Sequence, residues 1–402
     1  MLALAAAGVA TAALLAQLTW ALGAPPKTDW LPFATGARVL HSDPGCMYCL
    51  GTQASAQAAL LGYVPTAGFP KPFVNPPLVA VVLQPLADLP LRTGLLVMLV
   101  VSLGALALAA RVADGLLPSA MAWGPRVLLL VAALLSLPAV TAVGLAQWAP
   151  LLTLCALGSL VALRRRRPWL AGLLLSVLLV KPQTVWLVLP ALAAARSWRV
   201  LLGVATGAAG WLLSGLMLVG PSQLLQLPRL IMQRHVDEAL RTVGVPGLVS
   251  DLTGSGAAAF AAAAVLGVAA VVAAWVFRSR LRADPALAVA LGIGASLAFA
   301  PHVFADDLML LAVTAVVWAR YSQWSALGGM LALSLAYQAD AWLPLAMAPF
   351  TVLAVVGVPA GAALSAWMRG DAAAVSNLPV DASMQRARQR DGSNLGRGIG
   401  AV

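Results

Sequence analysis

The chain reads as an all-α, polytopic integral membrane protein of about twelve spans, because composition, run length and charge placement each lead there separately. Of its 402 residues, 61% are hydrophobic and 10% are charged, and the mean hydropathy is +0.91. Such a chain cannot cover itself with a water-soluble surface. One crossing takes about 20 apolar residues, which leaves no length for a large soluble domain. The net charge of +11 is that of a membrane protein whose basic residues mark cytoplasmic loops. Nucleic-acid binding would need a basic patch interleaved with aromatics, and none is present.

Apolar runs mark spans near 2–23, 90–111, 126–142, 148–163, 169–180, 183–195, 200–219, 256–277, 286–300, 304–319, 325–338 and 341–367. Residues 2–23 also suit a signal peptide ending near Ala24, but the run is long for one and has no basic n-region, so a retained first span is expected. With the N-terminus in the cytoplasm, the inner segments collect Arg111, Arg126, Arg164 to Arg167, Arg196, Arg199, Arg278, Arg280, Arg282, Arg320 and the arginines of the tail. The outer segments collect Asp29, Asp43, Asp237, Glu238, Asp251, Asp306, Asp307 and Asp340. That asymmetry sets the orientation.

The pair 169–180 and 183–195 is short for two crossings and meets at Lys181-Pro182-Gln183. Helices broken by Pro beside a polar residue are tolerated where they line an enclosed or wet cavity. Two outer loops, 24–89 and 220–255, are long enough to be structured. In the first, Thr52 to Tyr63 has weak helical amphipathicity, and Leu78 to Leu86 is expected to be a half-inserted helix beside the first span. The membrane domain thus covers 1–368, and 369–402, rich in Asp, Ser, Arg and Gly, is expected to be a disordered cytoplasmic tail.

The few polar residues beside the spans are the candidates for chemistry, since this topology brings Asp29, Gln147, Lys181, His302 and Asp307 to one membrane face. Asp29, just past the first span, suits a partly desolvated general base; it also suits a solvated loop carboxylate or a helix N-cap. Lys181, between two apolar helices, implies an anionic partner, or else snorkels to lipid headgroups. His302 and Asp306-Asp307 stand where one span ends and the next begins, and for the acidic pair helix capping is the plainer role. Cys46 and Cys49 form a Cys-x-x-Cys with no second pair to complete a zinc site, leaving a local disulfide or two thiols. No phosphate-binding loop, dinucleotide fingerprint or metalloprotease histidine pair occurs, so a nucleotide-using enzyme with a cytoplasmic active site is not expected. No cofactor and no metal site is read, and Asp306-Asp307 leaves a divalent ion open.

Several stretches together resemble a known family. Thr28-Asp29-Trp30, Phe33 to Arg38, Tyr48, Phe73-Val74-Asn75-Pro76-Pro77-Leu78 and Pro85 to Pro90 look like the start of glycosyltransferase family 87. Leu145-Ala146-Gln147, Val180-Lys181-Pro182-Gln183 with Ser197-Trp198-Arg199, and Ala300-Pro301-His302 leading to Asp307-Leu308 are similar to later parts of it. The resemblance covers roughly residues 25–315. It implies a GT-C-type fold and a mannosyltransferase that uses a polyprenyl-phosphate-mannose donor and a lipid or glycan acceptor at the outer face of the plasma membrane. Asp29 would be the base, Lys181 and His302 would lie near the donor phosphate, and Gln147, Gln183 and Asp307 would support the site. A single inverting displacement is implied. Arg229, Arg234 and Arg241 are further candidates for the phosphate or acceptor headgroup, or are solvated. Two departures stand out: Ala146 where the family often has Gly, and Gly244-Val245-Pro246-Gly247-Leu248 in place of a polar Asn-x-Ser pattern. The rival readings are a secondary transporter, against which no internal repeat is evident, and a noncatalytic lipid-carrier or flippase partner in envelope assembly.

Overall fold

The computed structural model describes residues 2–64, 71–238, 242–342 and 349–368, and among these residues every regular element is a helix, with no strand. The expected tail 369–402 lies outside the described residues. The N-terminal half contains α1 (Leu2–Gly23), α2 (Trp30–Ser42), α3 (Leu50–Leu61), α4 (Pro77–Ala87), α5 (Leu91–Leu116), α6 (Trp123–Leu134), α7 (Leu137–Gly144), α8 (Ala149–Arg164) and α9 (Pro168–Ser176). After 3-10 turns at Val177–Val180 and Pro182–Thr184 come α10 (Val188–Ala194), α11 (Trp198–Glu238), α12 (Val245–Thr253), α13 (Gly256–Val276), α14 (Arg278–Ala283) and α15 (Pro285–Phe299). A 3-10 segment, Ala305–Leu310, leads into α16 (Leu311–Trp318), α17 (Gln323–Trp342) and α18 (Pro349–Met368).

Among the described residues, five helical stretches are long and apolar enough to cross a membrane: Leu4–Gly23, Leu91–Leu116, Trp198–Ile231, Gly256–Val276 and Thr351–Met368. A sixth arises if α6 and α7, bent by 46°, form one span. The expected crossings at 148–163, 169–180, 183–195 and 286–300 are shorter apolar helices. At 1.5 Å per residue, the 16 residues of α8 reach about 24 Å, less than the hydrocarbon thickness of about 30 Å. The chain breaks at Lys181, as the Lys-Pro-Gln junction predicts.

The outer surface is what a lipid solvent selects. On α13 the buried positions are Ala259, Ala263 and Gly267, a stripe of small residues that lets helices approach closely. Val265, Val268, Val272, Trp275 and Val276 of the same helix are exposed. At the centre, α16 is apolar and buried on every side, which marks a helix enclosed by its neighbours.

Both long loops are helical. α2 has no counterpart among the expected elements: Trp30 to Ala37 are all buried, and its exposed polar residues, His41 and Ser42, come only in the last turn. A helix, α4, covers the expected Leu78 to Leu86, but its main neighbours are α2, α11 and α5 rather than the first span. Gly36 of α2 makes this possible, since a Cβ there would run into the Phe73 ring. The span expected at 200–219 ends at Gly220, whose φ 76 and ψ 169 are not helical, a conformation glycine adopts freely. Pro221 opens a second helix that forms the rest of α11 to Glu238, turned sharply enough that a Cβ on Gly215 would meet the Leu224 side chain at 2.8 Å. Cys46 and Cys49 are joined in a disulfide, and Tyr48 beside them donates its N–H to Gln223 Oε1 at 2.9 Å, tying the segment after α2 to the second half of α11.

Candidate active site

The site forms where the segment after α1 meets the α7–α8 turn. Asp29 donates its N–H to Leu145 O at 3.0 Å, and Gln147 Nε2 donates to Asp29 Oδ2. Gln147 is aimed there by its backbone. Ala146 adopts φ 57, and the N–H groups of Ala146 and Gln147 return to Val143 O and Ala142 O at 2.9 Å each, a helix C-cap that closes on a left-handed residue. Phe33 of α2 packs on Trp148 with ring centroids 5.5 Å apart, seating Asp29 against the turn. Asp29 occupies the N-cap position of α2, yet its side chain makes no capping hydrogen bond. The carboxylate is half-buried and directed to Gln147, so neither the N-cap nor the solvated-loop reading describes it.

Lys181 finds the anionic partners its position implies. Nζ lies 2.7 Å from Asp306 Oδ2 and 2.6 Å from Asp307 Oδ1, and side-chain exposures are 11%, 5% and 0% for Lys181, Asp306 and Asp307. Asp307 also caps, accepting the Phe304 N–H on Oδ2 at 3.2 Å. The acidic pair is therefore inside the bundle, on a 3-10 segment packed against α7 and α8. Lys181 is anchored to carboxylates and does not snorkel. With two carboxylates facing one ammonium, this trio is formally negative.

The two clusters share one electrostatic environment. Burial pushes the Asp29 carboxyl above its ordinary value of 3.8, and the Asp306 charge adds to this. Lys71, the Gln147 hydrogen bond and Lys181 oppose it in that order. His302 is half-buried with its ring edge-on to Phe304, centroids 4.4 Å apart. Beside it Val303 O accepts the Val243 N–H at 2.8 Å, which brings the chain leading into α12 to the His302 segment. Gln183 is half-buried two residues beyond Lys181. Arg229 is exposed; the Arg234 side chain and Arg241 lie outside the described residues.

Four polar residues that sequence reasoning passed over belong to this region. Lys71 acts electrostatically on Asp29. Tyr337 of α17 hydrogen-bonds the Thr141 side chain and feels the Asp306 charge. Gln17 of α1 lies against Gly144, where a Cβ would strike its side chain. For Gln17 and Tyr337 the signal was available, a polar group within an apolar span; for Lys71 and Thr141 nothing in the local sequence marks them.

The arrangement can accept a proton at Asp29 in an enclosed setting with two lysines nearby, which suits deprotonation of a hydroxyl next to an anionic leaving group. No curated protein and no solved structure matches the chain. The family model of glycosyltransferase family 87 matches residues 73–303, a region that contains Gln147, Lys181, Gln183 and His302 and lies between Asp29 and Asp306-Asp307. That match, over more than half of the chain, supports an enzyme over a transporter. The chain belongs to glycosyltransferase family 87.

Proposed function

We propose that this glycosyltransferase is a GT-C-type enzyme, passing the plasma membrane about twelve times when its short and broken helices are included, that moves a mannosyl residue from a polyprenyl-phosphate carrier to a lipid or glycan acceptor at the outer face. The observation that carries the reading is Asp29: a carboxylate at the end of the first span, free of any capping duty, oriented by Gln147 and with its pKa raised by burial. A carrier lipid keeps its tail in the bilayer and presents its glycosyl phosphate at the surface, where this site is expected to lie. Asp29 takes the proton from the acceptor hydroxyl as its oxygen attacks the anomeric carbon. The bond from that carbon to the phosphate oxygen breaks, and the phosphate leaves with the electron pair. Inversion follows from a single displacement. Lys181 and His302 line the donor side, Lys181 by anchoring the 305–310 segment through Asp306 and Asp307. Gln183 and Asp307 support that wall.

Sugar transfer from a short-chain polyprenyl-phosphate-mannose to lipids extracted from the host tests the reading. The wild type is expected to form a glycosylated product that Asp29→Asn does not form. Retained turnover in Asp29→Asn would remove Asp29 as the base, and absence of transfer by the wild type would remove the donor assignment.

A further inference from the structure

The two lysines near Asp29 are held in opposite ways. The ammonium of Lys181 is over-matched by two buried carboxylates. Lys71 Nζ instead donates to a neutral acceptor, Lys27 O, at 3.0 Å, two residues before Asp29, and among the described residues no carboxylate forms an ion pair with it. The backbone around Lys71 is fixed by a device on α3. Gln57 accepts the Lys71 N–H on Oε1 at 3.1 Å and donates its amide back to Lys71 O. Gln53, one turn earlier, accepts the Phe73 N–H at 2.6 Å and donates to Met47 O at 2.8 Å and Phe73 O at 3.4 Å. Both glutamines are fully buried. Four helical residues rise about 6 Å and two extended residues advance about 6.6 Å, so glutamines at i and i+4 match alternate residues of an extended segment as a neighbouring strand would. The clamp reads only main chain, which leaves the Lys71 side chain directed by its bond to Lys27. Phe73, stacked on Tyr48 and pressed on Gly36, fixes the far end.

Resting on the glycosyltransferase reading above, we infer that Lys71 is the cation that binds the donor's phosphate beside Asp29, with Gln53 and Gln57 as its positioning residues, while the charge of Lys181 is committed to the fold. The ligand chemistry is a phosphate monoester or diester carried on a polyprenyl chain. As the sugar leaves, negative charge grows on the phosphate oxygens, and an ammonium with two N–H groups left over stabilises it.

The full-length protein in detergent is titrated with a short-chain polyprenyl monophosphate carrying no sugar, so that binding is read without turnover. Lys71→Gln is expected to weaken binding at least about tenfold, the loss of one charge-assisted contact, and Lys71→Arg to stay within about threefold of wild type. Gln57→Leu is expected to weaken binding as Lys71→Gln does. Asp29→Asn, which removes a negative charge beside the phosphate, is expected to bind at least as tightly as the wild type while losing transfer, which separates this inference from the assignment of the base. A merely structural Lys71 would leave the pH profile alone. Here the charges facing Asp29 are Lys71, Lys181 and Asp306, and loss of the first moves the acid limb of kcat/KM to higher pH. Wild-type affinity in Lys71→Gln, or no binding by the wild type, would overturn the inference. Equal, Lys71-dependent binding of inorganic phosphate or of phosphatidylglycerol would overturn its assignment to the donor.

Discussion

Asp29 is a base only when ionised, so the rate is expected to rise with pH through its pKa, which burial places above 3.8. Asp29→Asn should lower kcat by about 10²- to 10⁴-fold with little change in KM, the usual share of a general base, measured by steady-state transfer. Gln147→Leu removes a hydrogen bond that favours the charged carboxylate, so its acid limb should lie above that of the wild type in a kcat/KM profile. Ala146 shows how close opposing terms can run. Its φ of 57 costs about 1–2 kcal/mol for a residue with a Cβ, while its buried methyl contributes about 0.8 kcal/mol and glycine would lose about 0.5–1 kcal/mol in chain entropy. Ala146→Gly is therefore expected to leave thermal stability within about 1 kcal/mol of wild type, whereas Ala146→Val, branched in a left-handed position, should destabilise the turn and reduce transfer by displacing Gln147. Asp29, Gln147, Lys181, His302 and Asp307 were legible because each interrupts or borders an apolar run. Lys71 was not, because a lysine between prolines in a long connection looks like any solvated loop lysine until the fold seats it beside Asp29.

Two packing devices hold the helices in place. α9 and α11 meet through Gly172 and Gly203, where a Cβ on the first would run into Val200 O and one on the second into Trp169 O. Gly172→Ala should cost about 1–3 kcal/mol through forced separation of the pair, seen as earlier thermal unfolding in detergent with Gly158→Ala, which meets only Leu174 Cδ1 at 3.4 Å, as the mild control. The Lys181 trio joins the α9–α10 break to the segment before α16. Lys181→Met leaves two buried carboxylates without a cation, a change of about 3–5 kcal/mol, and replacing Asp306 and Asp307 by Asn in the same protein should recover much of the loss. Most helices were visible as apolar runs, and the break at Lys181 was visible as Lys-Pro-Gln. α2 was not, since it lies inside a long connection and its exposed polar residues, His41 and Ser42, come only in the last turn. The break at Gly220 was visible as Gly-Pro, which signals a turn; the second helix of α11 beyond it was not, because Pro221 and Pro228 interrupt its run.

Orientation belongs to the whole assembly. If the arginines at 164–167 face the cytoplasm, a cysteine at Arg165 in a Cys155→Ser background should be shielded from a membrane-impermeant maleimide in right-side-out vesicles, and one at Ser42, exposed at the end of α2, should react. The opposite labelling would move the active site to the inner face. The sequence by itself determined the membrane class, the helical content, the family resemblance and the polar residues worth watching, because hydropathy, helix period and turn chemistry are sums over near neighbours. Only the tertiary structure decided that Asp29 is held by Gln147, 118 positions away, and that Lys181 is spent on carboxylates 125 and 126 positions away. Which charge meets which depends on how helices pack, and in a low-dielectric interior that pairing, not the residue types alone, sets which cation remains free for a substrate.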